Sequence, residues 1–130
     1  MTDKTVLVVG GGISGITVAS ELALNGIPTT LIERESSLGG LSASFCCKAS
    51  EACNKCFACV VDKRVSEFRQ QNRVFILTQT ELTGVKGGPG EYTVSLRKGK
   101  ERTDLKVSAV VLATGIDPYD ATQKAENGYD

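Results

Sequence analysis

The sequence contains no histidine and no tryptophan among its 130 residues, and aromatic residues make up only 5% of it. The absence of histidine excludes Ser-His-Asp hydrolases, HExxH metalloproteases and iron centres held by two histidines and a carboxylate. Lysine plus arginine and aspartate plus glutamate both number 15, so the formal net charge is zero. This balance gives no general attraction to nucleic acid or to an anionic membrane, and we expect neither as a partner.

The sequence also lacks a long hydrophobic run. No apolar stretch approaches the roughly 20 residues that a membrane-spanning helix needs. The start, MTDKTVLVVG, does not have the architecture of a signal peptide. We therefore expect a cytoplasmic protein without direct membrane insertion. In that compartment the five cysteines are kept reduced, so they are interpreted as metal ligands or redox groups before disulfides.

The first third of the chain predicts a βαβ unit. Residues 5–9 form a short, β-branched apolar run, which is typical of a parallel strand covered on both faces. A glycine-rich turn follows, then apolar residues at helical spacing up to Gly26, which stands where a glycine C-cap belongs. A second strand is predicted over residues 29–32. The unit has about the 30-residue size that this motif needs.

The rest of the chain predicts a loop, a helix and several strands. Residues 36–49 are interpreted as a loop with a short helix. An amphipathic helix is predicted from Phe57 to about Gln70, with Cys56 and Cys59 entering it. The predicted strands cover residues 74–80, 82–86, 92–97 and 107–113. We expect an antiparallel meander that returns as a buried strand, with residues 98–106 as a connection and a polar tail after residue 117.

The glycine turn carries a dinucleotide-binding pattern, Gly10-x-Gly12-x-x-Gly15. The first glycine permits a tight turn, the second lets backbone approach a pyrophosphate, and the third lets the helix pack on the strand. Glu33 follows Gly15 by 18 positions at the end of the second strand, where it is predicted to bind the adenosine ribose. Its charge disfavours the 2'-phosphate of NADP, although Arg34 stands beside it.

Three cysteines repeat at strict spacing, Cys53-x-x-Cys56-x-x-Cys59, with Cys46 and Cys47 just upstream. The spacing matches the first three positions of a bacterial ferredoxin-type run, but the fourth cysteine and its proline are absent. The fourth ligand would be Cys46, Cys47 or a residue of another chain. We favour a [4Fe-4S] cluster. The alternatives are a structural zinc site with four cysteine ligands, a thiol-disulfide pair that exchanges electrons with a flavin, and plain core cysteines.

Two further segments indicate which dinucleotide is bound. ERESSLGGL at residues 33–41 and AVVLATG at residues 109–115 resemble stretches of the two-dinucleotide-binding flavoproteins. The resemblance implies FAD, with the glycine pair near the flavin's phosphates and ribityl chain. The residues predicted to contact the cofactor are Gly10, Gly12, Ile13, Ser14, Gly15, Glu33, Arg34, Gly39, Gly40, Leu41, Leu82, Ala113, Thr114 and Gly115.

Nearly the whole chain resembles the N-terminal part of the A subunit of heterodisulfide reductases, and more closely the shorter relatives found in sulfur-metabolising heterodisulfide-reductase-like and quinone-interacting complexes. The similarity lies in VLVVGGGISGITVASELALNG, LIERESSLGG, the cysteine block, LTQTELTGVKGGPGEYTVSL and AVVLATGIDPYDATQKAENGYD. It implies an FAD and iron-sulfur protein that passes electrons within a larger cytoplasmic oxidoreductase, with other subunits or a second copy as partners. No acid-base catalyst can be named.

The predicted fold class is α/β. One Rossmann-like FAD-binding domain, a parallel sheet with a βαβ unit plus an antiparallel meander, is expected over residues 1–130, with a cysteine-rich cluster-binding insert at about residues 42–62. Members of the resembling family continue well beyond the alanine-threonine-glycine strand. The domain is therefore expected to be truncated, as a fragment, a split-gene product or a subunit completed by a partner.

Overall fold

The computed structural model describes residues 4–47, 49–56 and 58–128 of the chain. The described α-helices and strands are β1 (Val6–Val9), α1 (Ile13–Leu24), β2 (Thr29–Ile32), α2 (Ala58–Arg69), β3 (Val74–Leu77), β4 (Glu81–Gly88), β5 (Glu91–Lys98), β6 (Glu101–Val107) and β7 (Ala109–Leu112). Short 3-10 turns lie at Gly40–Ser44, Ala121–Gln123 and Ala125–Asn127. Neither α-helix of this described part has the length and apolar character of a membrane-spanning segment.

Four strands form a parallel sheet in the order β3-β2-β1-β7. The central strand β1 pairs with both neighbours, so that Val6 lies opposite Thr29 on one side and Ala109 on the other. Leu7, Val8 and Leu31 are completely buried, as expected for strands that are covered on both faces. The predicted α/β fold with a βαβ unit is therefore confirmed.

Side chains alternate between two cores, one on each face of the parallel sheet. The core on the helical face contains Val6, Val8, Leu31, Ile16 and Ala19 of α1, Leu38, and Phe68 of α2. The core on the other face contains Leu7, Ile32, Val94, Leu96 and Val107, and it joins the parallel sheet to the antiparallel sheet β4-β5-β6. Each fully buried large apolar side chain stabilises this arrangement by about 1.5–3 kcal/mol.

The prediction was wrong for residues 74–80, which were expected to form a strand of the antiparallel meander. In the structure β3 is an edge strand of the parallel sheet and pairs with β2, with Val74 opposite Thr29 and Leu77 opposite Ile32. The sequence VFIL is apolar at every position and carries no alternation. Such a run is typical of parallel strands, so the pattern itself indicates the pairing that the structure has.

The prediction also missed β6, because residues 98–106 were expected to be a connection. In the structure residues 101–107 pair with β5 in antiparallel register, with Glu101 opposite Lys98 and Val107 opposite Tyr92. Residues 101–104 are polar and exposed, as is common on edge strands, where charge discourages pairing with other chains. The predicted strand over residues 107–113 is consequently two strands that meet at Ser108.

The start of α2 differs from the prediction as well. The helix begins at Ala58, so Cys59 lies in its first turn but Cys56 lies before it. Lys55 adopts a left-handed backbone conformation with φ of 52°, which is incompatible with a continuous helix. Phe57, the first apolar residue of the predicted helix, lies outside the described residues. The second cysteine of the run is therefore part of an irregular segment rather than of the helix.

Candidate functional site

The glycine turn between β1 and α1 is packed against neighbouring backbone at two of its glycines. Gly10 has a φ of 110°, and a Cβ there would overlap the carbonyl oxygen of Ala113 in the segment after β7. A Cβ at Gly15 would overlap the carbonyl oxygen of Gly10. Only glycine allows these close approaches. Gly10 and Gly15 therefore fix the turn between the strand and the helix, as the pattern predicts.

The middle glycine of the pattern is different. No heavy atom lies within 4 Å of the position that a Cβ at Gly12 would occupy. Gly12 is also the N-cap of α1, with extended backbone and no side chain to cap the helix. The N-H groups of Ile13 and Ser14 precede the first helical hydrogen bond and have no acceptor within the helix. This open end, with its positive helix dipole, is suited to an anionic group.

Glu33 is buried directly behind the turn, with only 8% of its surface exposed. One carboxylate oxygen accepts a hydrogen bond from the N-H of Gly11 at 2.6 Å, and the other accepts from the N-H of Glu35 at 2.9 Å. Each carboxylate oxygen can accept a further bond. Glu33 thus ties the glycine turn to the end of β2 and retains acceptor capacity, a structural role that sequence reasoning missed.

A cavity of about 540 Å³, here called the glycine cavity, contains most of the predicted contact residues. Its lining includes Gly10, Gly12, Ile13, Ser14, Glu33, Arg34, Gly39, Gly40, Leu41, Ala113, Thr114 and Gly115. Of the predicted contact residues, Gly15 and Leu82 do not line it: Gly15 is buried beneath the turn, and Leu82 lies in the adjoining cavity described below. Lining residues that sequence reasoning missed are Glu35, Ser42, Ser44, Phe45, Ile116, Asp117 and Pro118.

The second glycine pair meets the first glycine turn inside this cavity. The N-H of Gly39 donates to the carbonyl oxygen of Gly11 at 2.8 Å, and Gly12 and Gly39 form an isolated parallel bridge. A Cβ at Gly40 would lie only 3.1 Å from the Cα of Gly12. Two segments that are far apart in the sequence therefore present bare backbone to the same space.

A second cavity of about 390 Å³, here called the meander cavity, lies beside the first. The two share Gly10, Glu33, Arg34 and Thr114. Its other lining residues are Val9, Ile32, Thr80, Glu81, Leu82, Thr83, Arg97 and Leu112. The predicted contact residue Leu82 lies here. Sequence reasoning missed the ion pair of Arg97 with Glu81, which forms because the β4–β5 register places the two residues opposite each other.

Arg34 stands at the rim of both cavities. Its guanidinium group lies 3.3 Å from the carboxylate of Asp117 and 3.4 Å from that of Glu35. The Arg34–Asp117 contact joins the loop after β2 to the segment after β7, across the glycine cavity. Both side chains are mostly exposed, so the pair contributes little to stability.

The five cysteines all lie at exposed positions. Cys46 and Cys56 line a third cavity of about 310 Å³ together with Ser44, Phe45 and Ala58. The sulfur of Cys53 accepts a hydrogen bond from the N-H of Lys55 at 3.4 Å.

In the described part of the chain, no three potential ligands lie close enough together to hold a metal ion. The donors are all soft thiols, which suit iron-sulfur clusters or zinc in chemical character. The metal site predicted at Cys46, Cys47, Cys53, Cys56 and Cys59 therefore remains a prediction.

Comparison with known proteins identifies similar sequences. The family model described as pyridine nucleotide-disulphide oxidoreductase matches residues 4–129. Over 97 residues the chain is 37% identical to the A subunit of a ferredoxin:CoB-CoM heterodisulfide reductase of Methanosarcina acetivorans, covering 73% of this chain and 12% of that protein. The A subunit of a ferredoxin/F(420)H(2)-dependent CoB-CoM heterodisulfide reductase of the same organism is 31% identical over 90% of this chain and 15% of that protein. The matched region is thus a small fraction of each relative.

Solved structures share the fold. L-Proline dehydrogenase of P. horikoshii superimposes with a TM-score of 0.65 at 26% identity, over 85% of this chain and 22% of the other. The flavoprotein disulfide reductase RclA of Escherichia coli gives a TM-score of 0.58 at 22% identity, over 97% of this chain and 24% of the other, a likeness that concerns the fold alone. The comparisons confirm both the predicted fold class and the resemblance to the A subunits of heterodisulfide reductases.

Proposed function

We propose that this chain, which belongs to the pyridine nucleotide-disulphide oxidoreductase family, is part of a heterodisulfide reductase-like oxidoreductase. In that enzyme it would bind FAD and a [4Fe-4S] cluster and transfer electrons. Family membership confirms the predicted oxidoreductase class. The observation that carries the FAD assignment is the open side of Gly12, which faces a cavity shared with Glu33 and the Gly39–Gly40 pair. We further propose that residues 1–130 act as one FAD-binding domain with a cysteine-rich insert at about residues 42–62.

The glycine cavity fits the phosphate part of FAD. The free N-H groups of Ile13 and Ser14 at the start of α1 would donate to the pyrophosphate, and the bare backbone of Gly12 would let it approach. Glu33 would accept hydrogen bonds from the adenosine ribose with the lone pairs that Gly11 and Glu35 leave available. The cavity volume of about 540 Å³ lies within the range of about 300–1,000 Å³ that is usual for small-molecule sites.

The two ends of FAD would lie on opposite sides of this phosphate site. The adenine end fits the meander cavity, where Leu82 and Arg34 supply apolar surface and a planar cation. The flavin end fits the other side, where Gly39, Gly40 and Leu41 lie across from the segment of Ala113, Thr114 and Gly115. FAD would supply the redox chemistry, and the chain's residues would bind and orient it.

The cysteine segment is proposed to hold the cluster. A relative from Methanopyrus kandleri, 32% identical over 80% of this chain, is named as an iron-sulfur A subunit of CoB--CoM heterodisulfide reductase. That name and the three-cysteine spacing support iron over the alternatives, a four-cysteine zinc site or a dithiol pair. A zinc site would carry no electrons, whereas a cluster near FAD would complete an electron relay.

The partners are proposed from the same similarity. The relatives are named as A subunits of heterodisulfide reductases, so we propose that this chain works with other subunits of a cytoplasmic redox complex. A second copy of the chain is the alternative partner.

Titration with FAD tests the nucleotide assignment. We expect the full chain to quench the flavin fluorescence of one equivalent of FAD, with saturation. Gly12→Ala should weaken binding at least about tenfold, which corresponds to about 1.4 kcal/mol, because the methyl group enters the cavity. Gly88→Ala is the matched control, since Gly88 also has open space at its Cβ position and no left-handed backbone, and it should bind normally. Absence of saturable binding, or equal affinity of the Gly12→Ala variant and the control, would contradict the assignment.

A further inference from the structure

The glycine cavity has large apolar side chains in its wall as well as bare backbone. Leu41, Phe45 and Ile116 all line it, and 44%, 59% and 79% of their respective surfaces are exposed. Single exposed apolar side chains are common on protein surfaces, but several around one concavity are typical of a ligand-binding groove. The cavity therefore offers apolar contact in addition to the N-H groups at the start of α1.

Phe45 lies on the side of the glycine cavity that faces the cysteines. It also lines the cavity of about 310 Å³ that contains Cys46 and Cys56, here called the cysteine cavity. Glu33 is shared with the meander cavity instead, and Phe45 is not among the residues that line the meander cavity. Phe45 is thus part of the wall between the glycine cavity and the cysteine cavity, away from the meander.

The backbone of Phe45 is positioned without any ligand. Phe45 directly follows the 3-10 turn Gly40–Ser44, and its N-H donates to the carbonyl oxygen of Ser42 at 3.3 Å. The hydroxyl of Ser44 donates to the carbonyl oxygen of Leu41 at 2.6 Å. The preceding Gly39 is itself hydrogen-bonded to the glycine turn. The ring of Phe45 is therefore presented from a hydrogen-bonded turn, although more than half of its surface is open to solvent.

A flat aromatic ligand suits this exposed ring. Aromatic rings attract one another in offset-stacked and edge-to-face arrangements, beyond the gain from the area that they bury. FAD carries two ring systems on either side of its pyrophosphate. Because the adenine ring is proposed to occupy the meander cavity, the ring system that reaches Phe45 is the isoalloxazine.

We infer that Phe45 packs against the isoalloxazine ring of FAD and separates that ring from the cysteine cavity. The inference rests on the proposed function, because it concerns the same FAD site. Phe45 has no group that exchanges protons or electrons, so it acts as a positioning residue that holds the flavin ring on the cysteine side of the cavity.

Binding of FAD and of ADP to matched variants tests the inference, because ADP contains the adenosine diphosphate half of FAD without the flavin. Calorimetric titrations compare the full chain with its Phe45→Ala and Phe75→Ala variants. Phe75 is the control, since it is 65% exposed and is not among the residues that line the three cavities. Phe45→Ala should weaken FAD binding about fivefold or more and leave ADP binding unchanged, whereas Phe75→Ala should change neither.

Two further readouts separate a flavin contact from a general effect on the fold. Phe45→Leu keeps much of the apolar area and should recover part of the lost FAD affinity. At saturating FAD, Phe45→Ala should also lose the vibrational shoulder of the flavin's visible absorption band, because that shoulder sharpens in apolar surroundings.

The possible failures are distinguishable. Equal FAD affinity of the Phe45→Ala and Phe75→Ala variants would overturn the inference, and so would an equal loss of FAD and ADP binding in Phe45→Ala. A full chain that binds ADP as tightly as FAD would overturn it too, since the flavin ring would then make no favourable contact. A full chain that binds neither ligand would instead contradict the proposed nucleotide site itself.

Discussion

The glycine turn and the cysteine segment follow one another in the sequence but are built in opposite ways. The turn lies between two buried elements, with Val8 completely buried before it and Ile16 only 2% exposed after it, and the buried carboxylate of Glu33 holds it from behind. Every cysteine is exposed. The first buried side chain of α2 is Phe68, nine residues beyond Cys59.

This difference indicates that the two regions obtain their ordered structure in different ways. The nucleotide site is preorganised because the packing of the parallel sheet and α1 determines its geometry before any ligand binds. The cysteine segment buries too little apolar surface to hold its thiols together, and a metal site of that kind gains its structure from metal binding, whose free energy then counts as folding free energy.

Iron loading should show the largest effect, and only in the cysteine segment. We expect trypsin to cleave after Lys55 at least about tenfold more slowly in the iron-loaded chain, because structural metal binding can contribute about 10–16 kcal/mol, as zinc does in zinc-finger peptides. Lys100, in the exposed turn between β5 and β6, is the internal control and should be cleaved equally in both forms. Mass spectrometry of timed digests measures both rates. Equal cleavage at Lys55 with and without iron would remove the distinction between the two regions.

Two alanine substitutions within the glycine turn separate its structural part from its binding part. Gly15→Ala should lower the free energy of unfolding by about 1–3 kcal/mol, the usual cost of overpacking, because its methyl group would overlap the carbonyl oxygen of Gly10. Gly12→Ala should stay within about 0.5 kcal/mol of wild type, since its methyl group meets open space. Urea denaturation of the FAD-free chain measures both. A comparable loss in the two variants would show that the site is not preorganised as described.

Glu33→Gln tests the buried support of the turn. Both carboxylate oxygens of Glu33 accept backbone N-H groups, and an amide nitrogen would leave one of those donors without an acceptor. We expect a loss of about 1–3 kcal/mol in the free energy of unfolding, the cost of an unsatisfied buried group. Glu35→Gln is the control, because its side chain is 69% exposed. If the two substitutions have the same effect, Glu33 does not hold the turn.

The smallest effect is expected at the rim of the glycine cavity. Asp117→Asn removes the ion pair with Arg34. The Arg34 side chain is 63% exposed and the Asp117 side chain is 86% exposed. The free energy of unfolding should change by less than about 1 kcal/mol, as is usual for exposed ion pairs. Thermal denaturation at low and high salt measures it. A larger loss would mean that the nucleotide region depends on surface contacts and not on its buried packing.

The parts of the fold that the sequence predicted are those with a regular pattern. β1 is a short apolar run and the apolar residues of α1 recur at helical spacing, and Gly10 and Gly15 need glycine because a Cβ at either position would overlap backbone. The pattern did not predict β6, because its exposed residues 101–104 carry no apolar signal.

The contacts of the candidate site were harder to predict than its residues. The hydrogen bond from Gly11 to Glu33 and the cavity shared by Cys46 and Cys56 join residues that only the folded chain brings together. Glu81 and Arg97 meet in the same way, through the strand register. Composition and spacing identify residue types suited to a chemistry, but the pairing of distant residues depends on tertiary packing.

The ratio of iron to flavin in a single anaerobically prepared sample tests the proposed pairing of cofactors most directly. The chain is reconstituted with FAD, ferrous iron and sulfide, separated from free cofactors, and analysed for flavin, iron and zinc. We predict about four irons per flavin, as a [4Fe-4S] cluster requires, and no stoichiometric zinc. One zinc per chain without iron, or iron without bound flavin, would contradict an electron-transfer domain that combines the two cofactors.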